Sequence, residues 1–443
     1  MRRNTVAPGV TIFIGAMMLL LAAFSHRLYA QDEVVFTLED SIHEAFAKNW
    51  SFRAQKERLV QARYERSQRR SDLLFRVNTD YAYTRFDDET TYRYGLTQEI
   101  PTSSKDNYQW RATLTQPVFT GFALLSAYDI ARLGVDRSKM EIELARLDLA
   151  LEVKNAYFGI LIVDKAVEVV RKEVASLLSN VEVTKNFHRA GMIPINDLLK
   201  AELELANARN ILVQAVNDAR LARSEFNTLL SRPVDAPAEV EDILVRVNAD
   251  VVFEKMIEVA LANRPEMALI DNSIEQSEQQ IRYARSGYYP EISMNYSFIK
   301  EGDKPDVSGS LYHDGDRWEA MAVASWSVWE WGKTYYAVQE QKSTKTELEK
   351  TRNAVQDNII LNVKEAMLGL ETAEENIPVT RKAVEQGEEN LRVNEESYKA
   401  QMTTITEVLD AQTLLTRARV NYYRALYDYH LAHAFLQRAV GTY

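Results

Sequence analysis

The chain has 443 residues, 46% hydrophobic and 26% charged, with few glycines and prolines and a formal net charge of −11. That balance excludes general disorder, and an acidic chain lacks the Lys and Arg excess that neutralises nucleic-acid phosphates. Cysteine is absent, so no disulfide forms and no lipid is attached to an N-terminal cysteine.

Arg2 and Arg3 precede an apolar run over 10–24, and Leu28-Tyr29-Ala30 then ends on a small residue before Gln31. This order predicts a secretory signal over residues 1–30, cleaved after Ala30. A permanent anchor is the alternative, but the run is short for a spanning helix. Cleavage takes three arginines and no acid from the net charge of −11, leaving −14.

Thr37 and Asp40 are capping residues for a helix expected from Leu38 to Leu74. Val77, Thr79, Tyr81 and Tyr83 then alternate with polar neighbours, as do Tyr108, Trp110, Ala112 and Leu114 beyond a polar segment, Asp87–Asn107. The period of two predicts two strands of about nine or ten residues joined by a long loop. Such strands suit a tilted transmembrane β-strand with interfacial aromatics, or else a soluble hairpin. Pro117 reads as the end or edge of a strand. Ala123–Arg189 reads as one helix, with Ile142, Ala145, Leu149, Val153, Ala156 and Ile160 opening a coiled-coil seam that runs to Val181. A further helix is expected over Ile195–Leu230.

Pro233 and Pro237 lead into a second series of the same kind. Glu254–Ala284 is expected helical with a break at Arg264-Pro265. Ile292–Phe298 and Trp318–Trp326 are expected strands around a polar loop, Glu301–Arg317. Lys333–Lys399 is expected helical but kinked or interrupted at Pro378, and Ile405–Val440 closes the chain. The stretches Ala190–Arg209 and Ala400–Arg419, 210 residues apart, share eight of twenty residues, including Met192 with Met402 and Leu205 with Leu415. Each joins a very long helix to a shorter one, so both read as tips of antiparallel helical hairpins. The chain divides into a signal (1–30) and two repeats, 31–235 and 236–443.

This order of elements resembles the TolC family of outer-membrane efflux ducts. The likeness rests on the duplicated helix–strand–loop–strand–helix halves, the junctions Gln116-Pro117-Val118-Phe119-Thr120-Gly121 and Trp326-Ser327-Val328-Trp329-Glu330-Trp331-Gly332, and the paired tips. It implies a mainly α fold with a β-barrel part: a homotrimer whose subunits each give four strands to a twelve-stranded transmembrane barrel, continued by an α-helical barrel through the periplasm. It further implies a passive exit for drugs, other small molecules or secreted protein. The partners are then a periplasmic adaptor, an inner-membrane pump of RND, ABC or MFS type and outer-membrane lipid, without nucleic acid, in a Gram-negative envelope.

The resemblance also assigns residues. Glu407 and Asp410, one turn apart on a helix, match the family's acidic gate rings; two solvated acids near a helix start are the structural alternative. Asp197 with Tyr398 matches a polar link holding the gate, with Asn196 a further contact and Thr403 standing where the prototype has an arginine. Gly191, Met192, Ile193 and Pro194, with Met402, Thr403 and Thr404, match the tips that meet the adaptor. Gly191 is expected to permit close approach and Gln401 to prevent it. His430 and His433 stand at helical i and i+3 without a third ligand, so no metal is expected. Neither a phosphate cradle nor a serine nucleophile elbow is present, so no cofactor or enzymatic activity is expected. The competing reading is an adaptor-like or structural coiled-coil envelope protein without a pore.

Overall fold

The computed structural model describes residues 35–95, 98–243, 253–312 and 314–443. The expected signal and His313 lie outside the described residues. The first series runs β1 (Val35–Phe36), α1 (Leu38–Lys48), α2 (Trp50–Ser71), β2 (Arg76–Arg85), β3 (Thr91–Tyr94), β4 (Gln98–Pro101), β5 (Asp106–Thr120), α3 (Ala123–Arg189) and α4 (Ile195–Leu229). The second runs β6 (Glu239–Val240), α5 (Phe253–Asn263), α6 (Pro265–Ala284), β7 (Glu291–Gly302), β8 (Asp316–Ser325), α7 (Lys333–Lys399) and α8 (Ile405–Ala439).

Thr37 caps α1, its Oγ1 accepting the Asp40 N–H at 3.1 Å. The expected single helix from Leu38 to Leu74 is two helices. Asn49 leaves the helical region at ψ 124° and donates Nδ2 to the Leu229 carbonyl at 2.9 Å. A side chain that can bond other backbone groups thus ends the helical ladder. Arg264-Pro265 breaks the second series as expected, with Pro265 opening α6.

The strands β2, β5, β7 and β8 form one antiparallel sheet in that order. β2 pairs with β5 from Arg76↔Thr115 to Arg85↔Asp106, and β7 pairs with β8 from Glu291↔Ser325 to Lys300↔Asp316. Pro117 corrects the sequence expectation, for it lies inside β5, a central strand of 15 residues. The β2 ladder has already stopped at Thr115, so that side needs no N–H. On the β7 side a register shift between Pro117 and Phe119 absorbs the ring. The segment Asp87–Asn107 is not loop throughout, because β3 and β4 pair within it as a separate hairpin. Every residue of the two outer strands, β2 and β8, is exposed.

α3 and α7 have 67 residues each, and α4 and α8 have 35 each. Both pairs begin 210 residues apart. Pro378 neither interrupts α7 nor ends it. Its missing N–H costs one bond, while buried Ala373 and Ile377 keep the stretch packed. The offset of 210 extends to backbone strain. Positive φ occurs at Gly121 (60°) and Trp331 (55°), Phe122 (73°) and Gly332 (78°), Gly191 (72°) and Gln401 (61°), and Ser231 (54°) and Gly441 (81°).

The chain forms two compact units. The first contains the described parts of Met1–Asn49, Glu152–Val247 and Thr372–Leu431; the second those of Trp50–Leu151, Asn248–Glu371 and Ala432–Tyr443. In the first unit β1 pairs in parallel with β6 beside Tyr157. The Tyr157 hydroxyl lies 3.0 Å from the Phe36 carbonyl and 2.9 Å from that of Glu241, and burial pushes its pKa up to about 12. Phe226, fully buried, packs edge-on against Phe36. The second unit contains the four-stranded sheet, with Ile299, Val338, Ile359 and Val363 in its core.

Candidate gate and docking tips

Both hairpin tips close by one backbone device. At the end of α3, the Gly191 N–H reaches the His188 carbonyl and the Met192 N–H reaches that of Phe187, both at 2.9 Å. At the end of α7, Gln401 reaches Tyr398 at 2.9 Å and Met402 reaches Ser397 at 2.8 Å. These are paired Schellman closures, with Gly191 and Gln401 in the left-handed position. A Cβ at 191 would meet nothing within 4 Å in the chain itself, so within the chain this position calls for backbone freedom. Gln401 adopts the same conformation despite its side chain, and its Nε2 lies 3.3 Å from Met192 Sδ, tying one tip to the other.

Met192 and Met402 are 55% and 81% exposed, Gly191, Pro194 and Thr404 are exposed, and Ile193 and Thr403 are half-buried. The Ile193 carbonyl lies 3.2 Å from His188 Nδ1. Pro194 precedes α4 with extended backbone and no side-chain cap, and its carbonyl accepts the Asp197 N–H at 3.2 Å.

Behind the tips lies an apolar cluster that includes Leu177, Ala201, Leu205, Ile405 and Val408. Tyr398 belongs to it, 6% exposed, with its ring centroid 5.6 Å from that of Phe187. The expected Asp197–Tyr398 bond is absent from its described contacts. The Tyr398 hydroxyl donates instead to Thr184 Oγ1 at 3.1 Å, and the Thr184 hydroxyl donates in turn to the Asn180 carbonyl at 2.7 Å. Helical side chains lean toward their own N-terminus, which directs Tyr398 back over its preceding turn onto α3 rather than forward onto α4. Burial raises its pKa, opposed by the Thr184 bond, and the nearby Asp197 charge adds to the rise.

Glu407 and Asp410 are both exposed, whereas Val408 and Leu409 between them are buried. Among the described residues neither carboxylate is hydrogen-bonded or ion-paired. Asn196 is likewise exposed, and Asp197 half-buried. Lys200 Nζ reaches Thr406 Oγ1 at 3.4 Å, a bond between the two hairpins.

A polar line through the apolar seam escaped the sequence reading. Gln412, 3% exposed, accepts from Ser176 at 2.8 Å and lies 3.4 Å from Thr416 Oγ1. Glu173, 7% exposed, is held above the usual carboxyl range by burial, partly opposed by the Thr416 hydroxyl and reinforced by Glu204. The signal was present in the spacing. Thr184 continues the three-and-four series through Leu177 and Val181, and Gln412 falls in the series from Ile405 and Val408 to Leu415.

No group of three or more metal-ligating side chains occurs among the described residues. His430 is stacked on Phe158 with ring centroids 5.0 Å apart, a packing role.

Comparison with known proteins bears on the fold and the family. The alkaline protease secretion protein AprF of Pseudomonas aeruginosa is 23% identical, with 98% of this chain and 88% of that protein covered. Outer membrane protein TolC of Escherichia coli K12 is 21% identical over 66% of this chain and 61% of its own length. The Campylobacter jejuni CmeC outer membrane channel superposes with a TM-score of 0.80 at 14% identity, covering 91% of this chain and 85% of that one, which establishes the fold. A family model described as outer membrane efflux protein matches residues 41–231 and 256–442, and to that family this chain belongs.

Proposed function

We propose that three copies of this chain close into a single exit duct that conducts passively from the periplasm through the outer membrane. Family membership already makes the chain an outer-membrane channel for efflux or secretion. The supporting observation is the sheet: four antiparallel strands, about a membrane's span in length, end on the exposed strands β2 and β8. Lipid leaves unpaired backbone groups unsatisfied at several kcal/mol each, so the edges require partners, and further copies supply them.

In this assembly residues 1–30 are the removed signal, and 31–235 and 236–443 are its two repeated halves. Threefold repetition sets three carboxylates at the level of Glu407 and three at that of Asp410, an acidic constriction favouring cations. Tyr398–Thr184, Lys200–Thr406 and Gln401–Met192 restrain the mouth, with Asn196, Asp197 and Thr403 around it. The exposed tips, Gly191–Pro194 and Met402–Thr404, receive a periplasmic adaptor, and an inner-membrane pump of RND, ABC or MFS type supplies the energy. The cargo is drugs, other small molecules or secreted protein.

Planar-bilayer recording tests the duct. The purified trimer is expected to conduct, and neutralising Glu407→Gln with Asp410→Asn to lower cation selectivity. A folded trimer without conductance, even with Glu407 and Asp410 neutralised and Tyr398→Phe added, supports the structural envelope protein instead.

A further inference from the structure

The second unit contains a groove of about 460 Å³, within the range of small-ligand sites. Its wall is mostly apolar, from Leu151, Ala366, Gly369, Ala432 and Phe435, and two guanidiniums, Arg264 and Arg438, also line it.

The guanidiniums are fixed from behind. Arg264 donates Nε and Nη2 to the two oxygens of Glu266 at 3.2 and 2.6 Å. Arg438 donates Nη2 to the same Glu266 Oε1 at 3.0 Å and Nε to Asp148 at 2.6 Å. Burial would raise the Glu266 carboxyl, but the Arg264 bonds and the two positive charges hold it below the usual range, so it stays ionised. Both arginines therefore spend the same two nitrogens and keep the third. Nη1 of each is buried and without a hydrogen-bond partner among the described residues, although Arg264 as a side chain is only 7% exposed. These donors have almost no surface open to the groove as it stands, so an anionic head meets them as the two lining guanidiniums turn toward it, and an anion satisfies such unpaired donors most strongly.

We infer that this groove binds an amphiphilic oxyanion, its carboxylate or phosphate head on Arg264 and Arg438 and its short apolar tail along Phe435, Leu151 and the Ala366–Gly369 wall. Glu365 and Asn362 also line the groove but are exposed, so they stand at its solvent side. Glu365 opposes the entry of an anion. The inference is independent of conduction, since it concerns a site outside the tips and the acidic residues.

Full-length protein held in a non-ionic amphipathic polymer is titrated calorimetrically with octanoate, octyl phosphate and neutral octanol. A Cβ at Gly369 meets nothing within 4 Å, so Gly369→Met fills the groove without disturbing the backbone. Octanoate or octyl phosphate is expected to bind at least tenfold more tightly than octanol. Gly369→Met is expected to weaken binding at least tenfold with unchanged circular dichroism and thermal unfolding, and Glu365→Gln to strengthen it. The relative affinity of the two anions tells a carboxylate ligand from a phosphate one. Octanol binding as well as the anions, no anion binding at millimolar concentration, or anion binding untouched by Gly369→Met would overturn the inference.

Discussion

Gln401 holds a left-handed backbone conformation with a full side chain, and its counterpart Gly191 does so without one. A non-glycine residue there costs about 1 kcal/mol. Gln401→Gly is therefore expected to raise stability by up to about 1 kcal/mol and Gly191→Ala to lower it by a similar amount, read as shifts in thermal unfolding. Glu173 offers a pH test. Its carboxyl is raised above the ordinary glutamate value of 4.5, so its contribution is intact below that value and is lost as pH rises through the folded-state pKa. Glu173→Gln should then stabilise the protein at pH 7 to 8, with the advantage disappearing below about pH 4, where the wild-type carboxyl is also neutral. An equal advantage at all pH values would rule out titration as its source. The acids Glu407 and Asp410 were legible as exposed residues on a helix start. The Tyr398 partner was not, because adjacency in a family pattern does not say which way a helical side chain leans.

At the scale of elements, the long helices were the most legible part, since a seam sustained over many turns leaves no other reading. The sequence placed α3 and α7 with the ends that the structure gives them. Failures came where one residue was asked to decide. Asn49 broke a helix it was expected to continue, because its side chain found the Leu229 carbonyl far along the chain. Pro378 was expected to kink or interrupt one, and the helix runs through it uninterrupted, because tertiary packing overrides a single lost bond. Pro378→Ala should restore the backbone bond and raise the unfolding free energy by about 1 to 3 kcal/mol in chemical denaturation. No gain would mean that the neighbouring backbone is distorted beyond repair by one N–H. Pro117 was misplaced for a related reason: the number of neighbours on each side of a strand position is invisible in the strand's own residues.

For the whole molecule, the free edge of β8 provides a discriminating test. Successive residues of a strand point their N–H groups to opposite sides. Of Ala322→Pro and Val323→Pro, one therefore removes a donor facing β7 and the other a donor facing outward. If the outer edge is paired with another copy, both variants weaken the assembly, measured as the fraction surviving as trimer in mild detergent. If the edge is free, only one does. The duplicated order of elements was legible in both halves, whereas edge closure came only with the family resemblance, because a chain records its own strands and not who stands beside the last one.

The four pairs of positive φ carry a consequence for design. In each pair one copy has glycine and the other does not: Gly121 against Trp331, Gly332 against Phe122, Gly191 against Gln401, and Gly441 against Ser231. The molecule thus contains a two-member alignment of itself, in which each half has already solved positions that the other leaves strained. A stabilised version can be drafted by copying between halves, without any outside sequence, beginning with Gln401→Gly and Ser231→Gly.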